Sequence, residues 1–326
     1  MEAAMRSRKE QISKTDGFFY SVVVPAFNEQ ESVDLFYKRL QLTMESLDQP
    51  WEVIFVNDGS SDGTLDAIRA LAKKDTRVKY LSLSRNFGHQ AALTAGLDHA
   101  SGKVIISIDC DLQDPPELIP KLCQKWEEGY DIVYAQRKNY RKDSMIKRYA
   151  SVAYYFILGK TSNINIPENV GDFRLIDEKV LSALKAMPER SRYLRGMVAW
   201  AGFSNAFVDY DRPDRQLGDS GYSFTKLINL GMDGMLNFSL IPLKVGFFIG
   251  MINIILGSLF LLYMILDVLL FDKYYHLYKF LVVLLFMMMG LLFMLVWILG
   301  EYIGRIFNEI KGRPIYIMNE KGNFVS

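Results

Sequence analysis

Short apolar runs rich in β-branched residues recur along the first part of the chain, each bounded by polar clusters: "YSVVVPAF" (20–27), "WEVIFVNDG" (51–59), "VKYLSLS" (78–84), "VIISID" (104–109) and "YDIVYA" (130–135). Runs of this length and composition predict buried strands. Between them lie helical patterns: "NEQESVDLFYKRLQLTMESL" with Glu29 and Glu31 in its first turn, "SSDGTLDAIRALAKKD" with a Ser or Asp available as cap, and the small-residue "HQAALTAGLDHASG". Alternating strands and helices predict an α/β fold with a Rossmann-like, doubly wound, mostly parallel sheet. Further on, "NVGDFRLID" is strand-like at Phe173, Leu175 and Ile176.

The pattern then changes. Residues 245–266 and 280–299 carry no formal charge, and each run has about the length that crosses a hydrocarbon core of roughly 30 Å as a helix. Two transmembrane helices are expected, in preference to an apolar core hairpin, because a soluble helix of that length shows a polar face. The segment 221–244, "GYSFTKLINLGMDGMLNFSLIPLK", reads as an interfacial helix, with a plain linker helix as the alternative. The expected organisation is a flexible N-terminus (1–17) without a signal peptide, a soluble domain (18–220), the juxtamembrane segment, the two spans, and a cytoplasmic tail (300–326). Lys226 and Lys244 precede the first span, and Arg305, Lys311 and Arg313 follow the second. Asp267, Asp272, Lys273 and Lys279 balance one another between them, so both termini are expected on the cytoplasmic side.

Composition narrows the classes. Half of the 326 residues are hydrophobic and the net charge is +1, so there is no global basic signal for nucleic acid. Two cysteines, Cys110 and Cys123, suggest no disulfide framework. In sheets of this kind ligands bind at the carboxyl ends of strands, where "PAFNE", "NDGSSDG" and "DCDLQD" all fall. Asp109, Asp111 and Asp114 crowd like charges at one strand end. Such a D-x-D pair suits a divalent cation with a diphosphate, because Mg²⁺ or Mn²⁺ takes hard oxygen donors and keeps positions for phosphate. Strand alternation turns Cys110 away from the pair, as small core filler. Asp62 and Asp66 read as surface carboxylates. His89, with His99 and His276 far off in sequence, reads as packing at a helix start and not as a ligand.

Taken in order and spacing, "VVVPAFNEQE", "VNDGSSDGT", "SRNFGHQAAL", "DCDLQDPPE" and "GDFRLID" resemble the family 2 glycosyltransferases that load a sugar onto a polyprenyl phosphate. That group includes the dolichyl-phosphate mannose synthases and the bacterial bactoprenol (undecaprenyl-phosphate) glucosyltransferases, and the two C-terminal apolar runs look like the latter. The resemblance implies a GT-A fold and a role for each matching position. Pro25, Ala26, Asn28 and Glu29 hold the base and ribose, and Asp58 accepts a hydrogen bond from the base. Asp109 lies toward ribose and the metal shell, Asp111 is the direct ligand of Mg²⁺ or Mn²⁺, and Gln113 is a further ligand or sugar contact. Asp172 is either the base at the acceptor or a residue that positions its phosphate. A lipid phosphate, with a second pKa of about 6, is already mostly a dianion at neutral pH.

Arg137 opens the basic stretch "RKNYRKDSMIKR" and matches a phosphate clamp, since guanidinium pairs with phosphate bidentately. Arg141, Arg174, Arg192 and Lys226 are weaker phosphate or acceptor candidates, as are Arg195 and Arg212. The implied reaction is inverting transfer of glucose from UDP-glucose to undecaprenyl phosphate at the cytoplasmic face of the bacterial plasma membrane, by an integral membrane protein compatible with a homo-oligomer. GDP-mannose, another UDP-sugar or an aminoarabinose donor is the alternative. Two other classes compete. A processive polysaccharide synthase is disfavoured by the lack of a Q-x-x-R-W motif and by only two expected spans, and a non-catalytic scaffold by the presence of Asp58, Asp109, Asp111 and Asp172 together.

Overall fold

A computed structural model describes residues 19–138, 167, 169–190, 192–211 and 277–324, with isolated helical positions between 251 and 270. The predicted strands form, at β1 (Tyr20–Ala26), β2 (Trp51–Asn57), β3 (Val78–Leu83), β4 (Val104–Ser107), β5 (Ile132–Arg137) and β6 (Val170–Asp177), and β7 (Asn205–Tyr210) and β8 (Met318–Gly322) complete one sheet of order β7-β5-β6-β4-β1-β2-β3-β8. The run β3-β2-β1-β4 is parallel, β6 is antiparallel to both β4 and β5, and β5 and β7 are parallel to each other. The architecture is a GT-A-like α/β fold with a mostly parallel sheet.

Alternation along the strands sends side chains into two cores. Val22, Val24, Phe55 and Ile106 pack on the face covered by α1 (Val33–Glu45), α2 (Thr64–Lys74) and α4 (Ile119–Glu127). Val23, Ile54, Val56 and Ile105 pack on the face of α3 (His89–His99), α5 (Glu178–Ala186) and α6 (Leu194–Trp200). With both faces covered, β1 and β2 are buried at every position and read as mostly apolar runs, interrupted at Ser21, Glu52 and Asn57. At the amino-terminal edge of the sheet, Glu52 is fully buried, pairs with Lys79 and accepts hydrogen bonds from Ser21 and Ser101. The polar site lies at the opposite edge.

The C-terminal region departs from expectation in two ways. The helix predicted over 280–299 runs from Leu277 to Ile310 as α7, since "GEYIGRIFNEI" continues the helical pattern with Ile303, Ile306, Phe307 and Ile310 exposed along it. It holds one stretch, Met288–Ile310, long and apolar enough to cross a membrane. The segment 221–244 lies outside the described residues, as does most of the span 245–266, so a second membrane helix is not established.

The predicted tail is also part of the domain: β8 pairs antiparallel with β3 and caps the sheet edge. Arg69 forks onto Glu320 with contacts of 3.0 and 2.8 Å, and the Asn323 amide donates to the Ala72 and Val78 carbonyls. Phe324 packs edge-on to His99 and beneath the Lys79 ammonium. Strand content in "MNEKG" is hidden from pattern reasoning because an edge strand pairs through its backbone and needs no apolar face.

Candidate active site

The carboxyl ends of β1, β2 and β4 bring three loops together. After β1, Asn28 adopts φ 55° and its side-chain oxygen accepts the Ser61 N–H, while the N–H groups of Asn28 and Glu29 donate to the hydroxyls of Ser60 and Thr64. The segment Pro25–Glu29 is thereby laced to the loop after β2. In that loop the Asp58 N–H donates to Ala26 O, and the Asp58 carboxylate, 3% exposed, accepts the N–H groups of Phe87 and Gly88 at 2.8 and 2.9 Å. Burial raises the pKa of Asp58, against the pull of those two N–H groups. Gly59 has φ 65°, and a Cβ there would lie 2.4 Å from the Arg85 carbonyl carbon. The loop needs glycine for both its backbone conformation and its clearance.

After β4, Asp109 and Asp111 are partly exposed and Cys110 is buried in the core, as alternation requires. Leu112 turns through φ 60°, which lets the Gln113 N–H reach Asp111 Oδ1 at 3.0 Å. Gln113 itself is 5% exposed. Burial first, then the neighbouring charges of Asp114, Asp172 and Asp111, push Asp109 up to about 6 despite the opposing pull of His89. Crowded acids of this kind suit a cation. Among the described residues no three His, Cys, Asp or Glu side chains form a ready cage. Asp109 and Asp111, partly exposed at one strand end, fit an ion held by one or two carboxylates and completed by ligand phosphates, as magnesium and manganese commonly are.

Asp172, on β6, is 3% exposed and surrounded by donors. Arg174 Nη2 reaches its Oδ1 at 2.7 Å, Arg195 forks onto it with Nε at 3.1 Å and Nη2 at 2.8 Å, and His89 Nε2 lies 3.2 Å from Oδ2. Burial alone would raise this carboxyl, but Arg195, His89 and Arg174 outweigh it and hold Asp172 well below the usual carboxylate range. His89 also approaches Asp109 Oδ1 at 3.7 Å and so bridges β4 and β6. Burial opposes its charged form, yet Asp109 and Asp172 lift His89 to about 9. This corrects the expectation that His89 only packs a helix start. Its place at the head of α3, directly after Gly88 in a loop held by Asp58, aims the ring into the site, a link no single-residue pattern displays.

Arg137, at the end of β5, is 28% exposed and donates through Nε to the Tyr210 hydroxyl at 3.2 Å. Arg174 is 4% exposed and spent on Asp172. Arg192 caps the end of α5, donating to Met187 O and Glu189 O. Arg141, Lys226 and Arg212 lie outside the described residues. Asp62 accepts the N–H and hydroxyl of Thr64, and Asp66 pairs with Arg69, both on the surface.

Paired carboxylates at the end of β4 thus lie beside a guanidinium-ringed aspartate on the neighbouring strand β6. Residues 21–185 match the family described as Glycosyl transferase family 2, and the chain belongs to it. It is 43% identical over 302 residues to a bactoprenol glucosyl transferase of Shigella phage SfV, covering 92% of this chain and 98% of that one. It is 42% identical over 298 residues to a prophage bactoprenol glucosyl transferase homolog of Escherichia coli (strain K12), covering 91% and 97%. An uncharacterized glycosyltransferase of Synechocystis sp. is 39% identical over 300 residues, covering 92% and 94%. Among solved structures, mannosyl-3-phosphoglycerate synthase from Rubrobacter xylanophilus is similar at TM-score 0.49 and 16% identity, over 71% of this chain and 74% of that one.

Proposed function

We propose that this glycosyltransferase moves glucose from UDP-glucose to undecaprenyl phosphate, with inversion at the sugar carbon. The observation that carries the reading is the His89 bridge: Asp109, on the donor side, and Asp172, on the acceptor side, lie within reach of one imidazole. The names of the bactoprenol glucosyl transferases that the chain resembles over nearly its whole length support this choice of sugar and lipid.

Pro25, Ala26, Asn28, Glu29 and Asp58 frame the uridine, with Asp58 also fixing the loop that presents His89. Asp109 and Asp111 hold a magnesium or manganese ion, with Gln113 setting the turn that aims Asp111. That ion would neutralise charge on the departing nucleoside diphosphate. Asp172 is the positioner and not the base. A carboxylate held well below its usual range is a weak base at neutral pH, and a lipid phosphate with a second pKa of about 6 is already nucleophilic there. Its work is to order Arg195, Arg174 and His89 around the acceptor, while Arg137 clamps phosphate from the β5 side.

The apolar α7 anchors the protein in the plasma membrane, with the span 245–266 as its partner and 221–244 at the interface. The catalytic domain faces the cytoplasm. Glu309, near the end of α7, accepts the Arg190 N–H at 3.0 Å, which supports an active site held close to the bilayer surface.

Incubating the detergent-solubilised chain with labelled UDP- and GDP-sugars, undecaprenyl phosphate and Mg²⁺ or Mn²⁺ tests the reading. Label from UDP-glucose passes into the organic phase, and EDTA or Asp111→Asn abolishes it. Transfer from GDP-mannose alone would replace the donor, and label in polymer would replace the reaction class.

A further inference from the structure

The carboxylate that closes the opening acidic cluster, Asp114, has no place among the donor or acceptor contacts described above. It is fully buried, which an ionised group tolerates only with strong partners. One is the hydroxyl of Tyr210, on the far strand β7, which donates to Asp114 Oδ1. The same hydroxyl accepts from Arg137 Nε at 3.2 Å. A hydroxyl can donate and accept at once, so this oxygen joins a buried acid to the guanidinium at the mouth of the site. Arg137 Nη2 itself comes no closer to Asp114 than 3.8 Å, outside hydrogen-bond distance. The acid therefore acts on the arginine directly through its charge and, by hydrogen bonding, through the tyrosine.

The surroundings leave that oxygen little freedom. Arg137 and Tyr210 are register neighbours on β5 and β7, and Tyr210 O accepts the Lys138 N–H at 3.0 Å. The Tyr210 ring stands edge-on to the buried Phe173, with centroids 6.2 Å apart. On the other side the guanidinium passes over Gly171, where a Cβ would lie 2.8 Å from Arg137 Nη2. By strand alternation that clearance lies on the Phe173 face of β6, the face shared with Tyr210 and opposite the Asp172 side chain. An arginine has several rotatable bonds, and holding one orientation costs side-chain entropy. Fixing Nε beforehand leaves the outer Nη edge ready for a phosphate.

We propose that Tyr210 and Asp114 are positioning residues that pre-set Arg137 for a phosphate group, with Gly171 providing the clearance. The inference rests on the glycosyl-transfer reading for the phosphate's identity, either the donor's diphosphate or the acceptor's monophosphate. Tyr210 lies beyond the segment 21–185 that matches the family, so this part of the site is supplied by β7.

A double-mutant cycle tests it in the full chain, in detergent, with Tyr210→Phe, Arg137→Ala and the pair. Two readouts are taken: transfer kinetics with undecaprenyl phosphate, and calorimetric binding of UDP with Mn²⁺. Arg137→Ala is expected to lower kcat about 100-fold and Tyr210→Phe about 10-fold, and the double variant should lose no more than Arg137→Ala alone. Gly171→Ala, which leaves the tyrosine intact, should reproduce the Tyr210→Phe defect. If the cycle also couples in UDP binding, Arg137 serves the donor; if the coupling shows only in kcat and in KM for the lipid, it serves the acceptor.

Unchanged kcat and UDP binding in Tyr210→Phe would overturn the proposal, as would losses that multiply in the double variant, the mark of a merely structural tyrosine. Absence of lipid transfer by the wild type, with the cycle still coupled in UDP binding, would instead overturn the choice of acceptor and leave the positioning role standing.

Discussion

Asp172→Asn separates a positioning carboxylate from a base. In the wild type its two oxygens accept from Arg174 Nη2, Arg195 Nε and Nη2, and His89 Nε2 at 2.7 to 3.2 Å. An amide of the same shape keeps one acceptor oxygen and points an NH₂ at donors, so at least one guanidinium contact is lost and the buried charge balance fails. Breaking one hydrogen bond to a charged group costs about 1.5–3 kcal/mol, or a factor on the order of 10 to 10² if the contact is needed in the transition state. The pH profile carries the discriminating information. Asp172 is depressed in the folded protein, so its ionisation contributes stability above its ordinary pKa, lost only as pH falls through the lowered folded value. Between pH 5 and 9 it does not titrate.

The acid limb of kcat should therefore lie near pH 6, where the lipid phosphate gains its second charge. It should move upward with a more basic phosphonate analogue of the acceptor. Asp172→Asn should lower the plateau by 10- to 100-fold, on the scale of that lost contact, and leave the limb in place. Steady-state transfer assays across this range, with circular dichroism to confirm folding, provide the measurement. A limb that vanishes or shifts in Asp172→Asn, with the analogue having no effect, would falsify the positioning role and restore the base.

Other consequences are local. Asn323 sits at φ 61° and donates to two carbonyls; Asn323→Gly should cost about 2 kcal/mol and Asn323→Ala about 1 kcal/mol more, from the left-handed backbone. Thermal unfolding ranks the two, and an alanine variant at least as stable as the glycine one contradicts the backbone argument. Gly59→Ala should weaken UDP binding at least 10-fold, because its Cβ would displace the Arg85 backbone beside the loop that Asp58 holds. Unchanged affinity by calorimetry would sink this. Arg77, with Tyr37 assisting, lowers Asp75 to about 2, so the pair's stability is present above about pH 4 and drains away as pH falls through 2. Discounted for solvent screening at Arg77, whose side chain is 33% exposed, it is about 1 kcal/mol. The melting-temperature gap between wild type and Arg77→Met should accordingly narrow from pH 7 to pH 2.5, and a constant gap argues against it.

What could be read from the sequence was whatever one segment states alone. β1 to β4 are each a short apolar run ending in polar residues, so their presence, parallel sense and ligand edge followed from local pattern. Cys110 needed only alternation between two aspartates. The relations between segments were not readable. β6 runs antiparallel beside β4, which its composition does not encode, and this pairing carries Asp172 toward Asp109. His89 looked isolated because its partners are 20 and 83 residues away in the chain. Tyr210 and Asp114, 96 residues apart, meet only once β7 has been added outside β5. β8 carries no apolar alternation, and its pairing is made by backbone groups that every sequence possesses.

The closure of the tail onto the domain has a mechanical consequence. Only residues 311–317 separate the end of α7 from β8, so the helix cannot swing far from a sheet edge that its own continuation has paired. On the opposite side Glu309 accepts the Arg190 N–H, and the Arg190 guanidinium donates to Arg313 O. Arg190 begins the stretch that leads through Leu194, whose N–H donates to Gln90 Oε1, to Arg195 on Asp172. The end of the apolar helix and the Asp172 side of the site are therefore joined by the six residues from Arg190 to Arg195, fastened at both ends. With α7 as the membrane anchor and a lipid as the acceptor, as proposed above, such a linkage would set the one distance that diffusion in the membrane plane cannot adjust, the height of the reacting centre above the bilayer.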